Sequence, residues 1–203
     1  VHPSQLDDLR RAQNLLTIAE VVGLIDAGNR IYDPYSVLIS AKARIGRDNT
    51  IYPCVYLLCA EDGELSIGDG NTFHTNTLLE AVIGTVTVGS LNQFGEGGFT
   101  AKANRAGASI RIGDRGRYQN GAAVFGETYL GSGSQLLGAI TVDSCTLEAG
   151  DSFTDPDPDL RAGLLKGTGV ARNITVPRGQ VILGAGTFLA EKIQPQTDFH
   201  PKR

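Results

Sequence analysis

His74 is the one imidazole that lies away from the chain's ends; the other two, His2 and His200, fall in terminal segments. A single histidine serves as a general base when it lies within hydrogen-bond reach of the proton it takes. Asn76 and Glu80 are close enough in sequence to orient its ring. The alternative is a surface or intersubunit histidine held by a structural hydrogen bond. A hydrolytic zinc centre needs three neutral imidazoles around an open position, so no metal site is expected. Arg111, Arg115 and Arg117, preceded by Lys102 and Arg105, form a local basic cluster. It suits phosphate groups, or else an ion-paired, solvated face balancing Glu61, Asp62, Glu64 and the acids of residues 155–159 on another subunit. Cys54, Cys59 and Cys145 have no metal-ligand spacing and are odd in number, so reduced thiols in a cytoplasmic protein are expected.

The elements that must position these groups are set by a period of six. Ile112, Tyr118, Val124, Leu130, Leu136 and Val142 recur at that interval, preceded two positions earlier by Gly116, Ala122, Thr128, Ser134 and Ile140. Six is neither the 3.6 of a helix nor the alternation of a long strand. It fits a short strand and a tight turn repeated, with one bulky side chain per unit pointing inward, as in a parallel β-helix. The same phase runs through Ile39, Ile45, Ile51 and Leu57, then Ile67, Phe73 and Leu79, then Val88 and Phe94. Thr100 and Ala106 are its weak members, and Val170, Val176, Ile182 and Phe188 recover it late. The interruptions, including Asp155-Pro156-Asp157-Pro158-Asp159, are expected to be loops thrown out from corners.

Residues 4–25 are expected to form one helix, with Ser4 as N-cap, acidic Asp7 and Asp8 in the first turn, and Leu15, Ile18, Val22 and Ile25 as its apolar face. The expected organisation is a helical segment over 1–28, a β-helix with loop insertions over 29–190, and a tail over 191–203. With 203 residues, 26 glycines and 6% aromatics, the composition suits thin walls and tight turns around one continuous core. The mild acidity, a net charge of −4, argues against a nucleic-acid footprint. No apolar run is long enough to cross a membrane, and no signal peptide is visible.

The units Ile45-Gly46-Arg47-Asp48-Asn49-Thr50, Ile67-Gly68-Asp69-Gly70-Asn71-Thr72 and Leu130-Gly131-Ser132-Gly133-Ser134-Gln135 resemble the hexapeptide repeats of a well-known superfamily. The resemblance covers most of residues 37–190. It implies an all-β fold, a left-handed parallel β-helix of triangular section, and a homotrimer with small-molecule sites in clefts between subunits. The left hand comes from the resemblance alone, since it runs against the usual crossover preference.

Within the superfamily, residues 59–80 are similar to a segment of the gamma-class carbonic anhydrases: a short insertion, then Ile67-Gly68, then Asn71-Thr72-Phe73. The chemistry differs, because the zinc-binding histidine position falls on Glu80, Ala60-Glu61-Asp62 replaces Arg-Gly-Asp, and His74 stands where the family has glutamine. Residues 88–96 carry no histidine where further ligands belong, so carbonic anhydrase activity is not expected. The same layout without ligands is also similar to the small pointed-end subunits of dynactin, which are structural parts. Many hexapeptide-repeat enzymes move an acyl group from coenzyme A or a carrier protein to a hydroxyl or amine, with a histidine as base. The resemblance therefore implies an acyltransferase with His74 as base, needing no resident cofactor but taking a coenzyme A thioester as co-substrate. Arg111, Arg115 and Arg117 would then meet its phosphates. Gly184 and Gly186, in a closing segment that resembles the last coil of such enzymes, would line the pantetheine arm. The rival reading is a catalytically silent scaffold or small-molecule-binding protein.

Overall fold

Short runs, most of them two to five residues between tight turns, become strands whose alternate side chains point inward, while Leu164–Arg172 and Gln180–Phe188 run on around a corner. The computed structural model describes residues 3–200 and pairs these strands in parallel, coil upon coil, into an all-β, left-handed parallel β-helix. Three inner columns result. On the first face Ile31, Ile51, Phe73, Phe94, Tyr118 and Leu136 stack in register, followed by Leu165 and Ile182. On the second, Ile39, Leu57, Leu79, Ala101, Val124, Val142, Ala171 and Phe188 do so. On the third the column runs from Ile45 through Ile67, Val88, Ile112, Leu130 and Leu147 to Val176. All but Ile45 are buried, and Phe73 stacks flat on Phe94 at 5.1 Å. Stability is then carried by each coil's contact with its neighbours.

Three expected members are corrected. Thr100 points outward, and Ala101 fills the second column between Leu79 and Val124. Glu96, Gly97 and Gly98, all at positive φ, widen the preceding corner and shift the phase by one residue. Ala106 lies exposed in a turn. Val170 is likewise displaced, because Ala171 pairs with Val142. The regular spacing of eighteen holds at Arg117–Gln135, whereas Gln135–Leu164 spans the Asp-Pro loop.

The single N-terminal helix is also corrected to two, α1 (Pro3–Ala12) and α2 (Ile18–Asp26). Asn14 adopts positive φ, and the segment around Leu15 leaves the helix to lie antiparallel to Ser40. Leu16 N–H donates to Ile39 (2.8 Å) and Ala41 N–H to Asn14 (2.8 Å), so the connector covers the first edge of the second face. The helical cap falls on Thr17, whose hydroxyl accepts from Glu20 N–H while Glu20 accepts from Thr17 N–H, closing a capping box. Ser4 lies inside α1 rather than before it. The break rotates the apolar face: Val21 is buried and Leu24 packs on the core, whereas Val22 and Ile25 are exposed. Arg10, also buried, donates to the carbonyls of Leu16, Pro34, Tyr35 and Val37 and pins α1 to the first coil.

Along the corner entering the first face, buried asparagines form a ladder. Asn49 N–H donates to Asn29 Oδ1, Asn71 donates to Asn49 Oδ1, and Asn92 donates to Asn71 Oδ1. The last rung, Asn92 Oδ1, accepts from Gly116 N–H at 2.7 Å. There the ladder stops, because a Cβ on Gly116 would collide with the Tyr118 hydroxyl, which bonds Ser134 at 3.0 Å.

Candidate functional site

His74 follows the inward Phe73, so strand alternation turns its side chain outward at the corner between the first and second faces. Its backbone is fixed by N–H donation to Phe94 (2.8 Å), while its carbonyl accepts from Thr77 Oγ1 (2.7 Å). The imidazole stacks on Tyr52, with centroids 4.8 Å apart and planes 23° apart, and Tyr52 in turn packs on Tyr32. Among the described residues, no hydrogen-bond partner meets either ring nitrogen. Asn76 and Glu80 do not orient the ring. Asn76 is exposed on a turn at positive φ, and the Glu80 carboxylate is held by Lys102 Nζ at 2.6 Å.

The arginines separate around a corner. Arg117 lies outward on the first face, the face of His74, two coils further on and about 10 Å along the axis at the usual strand spacing. Its Nε donates to Gln119 Oε1 (3.1 Å), Gln119 donates to Glu96 (3.1 Å), and the guanidinium covers Phe153 at 4.7 Å. Arg115 is exposed on the intervening turn, and Arg111 lies on the third face over Tyr129 at 5.5 Å. Asp114, between them in sequence, accepts from Ser90 N–H at 2.7 Å. The upstream bases are paired within the chain, Lys102 with Glu80 and Arg105 with Asp143. Glu64 lies 3.9 Å from Arg44, and the Asp-Pro loop folds on itself with Arg161 clamping the Asp155 carbonyl. Gly184 and Gly186 lie in the last coil, five coils from His74 and about 24 Å along the axis. One chain therefore brings Arg117 toward His74 and leaves Arg111, Gly184 and Gly186 elsewhere.

Glu96 and Gln119 are the residues that sequence reasoning missed. Their signal is positional: Gln119 directly follows the inward Tyr118, as His74 follows Phe73. The cysteines are all free, and burial pushes the Cys145 thiol up in pKa, which makes it a poor nucleophile. Among the described residues, no three His, Cys, Asp or Glu side chains come together as metal ligands would, and no helix is long and apolar enough to cross a membrane. A cleft of about 250 Å³ opens on the second face, where the connector passes Leu38, Leu58, Cys59, Glu80 and Val82. It does not include His74.

The six-residue pattern and the three stacked columns together define a hexapeptide-repeat β-helix. No protein-family model matches the chain, and no curated protein matches it. Among solved structures it is similar to LpxA from Acinetobacter baumannii, at 14% identity, over 78% of this chain and 70% of that one, with a TM-score of 0.31.

Proposed function

We propose that this chain is one subunit of an acyltransferase-like homotrimer in which His74 takes the proton of a hydroxyl or amine acceptor. The observation that carries this reading is an imidazole held by ring stacking with no partner on either nitrogen among the described residues. A structural histidine would spend one of them on a hydrogen bond. The acceptor oxygen or nitrogen attacks the carbonyl carbon of a coenzyme A or carrier-protein thioester as its proton passes to His74. The oxyanion then collapses, the C–S bond breaks, and the thiolate leaves with the proton from the imidazolium. Orienting and oxyanion-stabilising groups come from the neighbouring subunit, since Asn76 and Glu80 do not supply them. The partly exposed outer surface of the second face, with Leu38, Tyr56, Leu58, Leu78 and Phe125, is apolar enough to be that contact. In this reading Arg117, outward on the face of His74, meets donor phosphates, with Arg115 beside it on the corner. The free cysteines suit the reducing cytoplasm.

Release of free thiol from acyl thioesters in the presence of candidate amines and alcohols tests the reading. His74→Ala should lower kcat by about 100-fold or more with the melting temperature little changed. Transfer undiminished in that variant removes His74 as base. A second reading, a silent scaffold, is favoured by the separation of Arg111, Gly184 and Gly186 from His74 along the axis. It stands if no thioester releases thiol.

A further inference from the structure

After the antiparallel segment Ile193–Pro195, the chain makes a short 3₁₀ turn, Gln196–Asp198, that lies against the outer side of the first face. Gln196 opens this turn and is fully buried. Nearly all of its polar atoms are used. Its backbone N–H donates to the Gly179 carbonyl at 2.7 Å, and its own carbonyl accepts from the N–H groups of Phe199 (3.0 Å) and His200 (2.9 Å). The side-chain Nε2 donates to the carbonyls of Ala162 (2.7 Å) and Gln180 (3.3 Å). Oε1 remains. Among the described residues it is the only buried side-chain nitrogen or oxygen without a partner. Turning the amide over does not relieve it, because Oε1 would then face two carbonyl oxygens and both donated bonds would be lost. The orientation is therefore fixed, with one buried acceptor left over, and such an atom costs the bonds it made to water in the unfolded chain.

Gln196 also lines a cavity of about 20 Å³ between this turn and the last two coils. Leu164, Val181, Leu183 and Phe199 form its apolar wall, and Lys166 and His200 are its other polar members. About 10–15 Å³ of such space admits one water molecule, which needs two or more polar partners to be held. The occupant has to donate a hydrogen bond, since Oε1 can only accept. A cation is disfavoured, because the local field is positive: burial, with the like charges of Arg161 and Lys166, holds the His200 imidazole below its ordinary range. An organic hydroxyl or amide exceeds the volume. We propose that this cavity is a binding site for one water molecule, which donates to Gln196 Oε1 and accepts from the Lys166 and His200 side chains that share the cavity. The water belongs to the fold. It joins the turn of the tail to the last two coils, and it completes the bonding of the residue that keeps Leu164 and Val181 covered.

Two measurements on the intact wild-type chain test this site. A crystal structure at a resolution that orders solvent should show one full solvent peak at hydrogen-bond distance from Gln196 Oε1. In solution, the methyl groups of Val181 and Leu183 should give cross-peaks to water of opposite sign in NOE and ROE spectra, the mark of a long-lived bound molecule. Val181→Ile then adds one methylene to the cavity wall and competes with the water for its space. This variant should lose the water cross-peaks, melt at a lower temperature, and exchange its amides at Phe199 and His200 faster, because Oε1 loses its donor. In a dry cavity the same methylene would fill empty space and raise the melting temperature. A wild-type structure with no solvent peak at Oε1 overturns the proposal, as does one with Lys166 Nζ bonded to Oε1 directly. A higher melting temperature for Val181→Ile also overturns it.

Discussion

The N-terminal coils add a buried asparagine ladder to the glycine-on-glycine stacking that both ends of the solenoid show. In that ladder Asn29, Asn49, Asn71 and Asn92 each bond the next coil, and the Asn71 and Asn92 Nδ2 groups also reach the carbonyls of Gly89 and Gly113. In the last coils backbone rests on backbone, with Gly138 against Gly167, Gly167 against Gly184, and Gly169 against Gly186. A side-chain ladder specifies position as well as adhesion, which suits coils whose corners carry the insertions around residues 61, 83 and 96. Glycine stacking makes a tight corner but ends in an uncapped one, because the top residues have nothing above them. The base candidate His74 stands on the ladder-bonded coils, and the open edge at Leu183–Gly186 ends the glycine-stacked ones.

Substituting glycines tests this contrast most strongly. Gly167 has φ +122, and a Cβ there would fall on the Gly184 carbonyl oxygen, far inside contact distance. Gly167→Ala is expected to cost about 3 kcal/mol or more. That corresponds to a melting temperature lower by roughly 6–12 °C for a chain of this size. Gly184→Ala, with no atom within 4 Å, should stay within about 0.5 kcal/mol of wild type. Equal losses would show that backbone contact is not what holds these coils together. At the other end, Arg10→Met removes the donor shared by four carbonyls and should cost about 2–3 kcal/mol in urea unfolding. Arg10→Lys should recover little of it, since an ammonium cannot fork to carbonyls spread over Leu16 and residues 34–37. Full recovery by lysine would mean that charge alone, not the planar fork, closes that end.

How far these features are legible in the sequence follows from the range of the interaction involved. The inner columns are legible because a bulky residue every six positions is a local rule. The phase shifts at Thr100 and Val170 are not, since a wider corner at Glu96–Gly98 or the Asp-Pro loop absorbs an uncounted residue. The helix break at Asn14 is hidden because Leu15 gains more from joining the sheet edge than from continuing a helical stripe. The asparagine ladder has a readable sign, an asparagine two positions before Ile31, Ile51, Phe73 and Phe94, yet its meaning depends on coils stacking. His74 was legible as a candidate by scarcity alone. Its stacking on Tyr52 depends on the register Ile51–Phe73, which is fixed only once the length of that coil is known. Gly184 and Gly186 read in the sequence as lining for a pantetheine arm. That the tail turns back over Gln180–Ile182 and no further cannot be read from its composition.

Tyr118 marks the junction of the two halves and gives the smallest and most pH-specific effect. Its ring belongs to the Phe73–Phe94 stack, and its hydroxyl takes the place of the next asparagine rung by bonding Ser134. Burial raises the phenol's pKa above its ordinary value, and the Ser134 bond only partly opposes this. A folded pKa above the unfolded one means that folding favours the protonated phenol. Its contribution is complete below the unfolded value of about 10 and is lost as pH rises from there toward the folded value. At pH 7, Tyr118→Phe should cost about 1 kcal/mol, the worth of one buried hydroxyl bond. Above pH 10 the wild type loses stability as its unfolded phenol ionises, and the variant lacks that loss at this position. The gap between their urea midpoints should therefore narrow between pH 7 and pH 11. A gap that stays constant would mean that the Tyr118 hydroxyl is reached by water, and that the ladder's last rung is not sealed where the two halves meet.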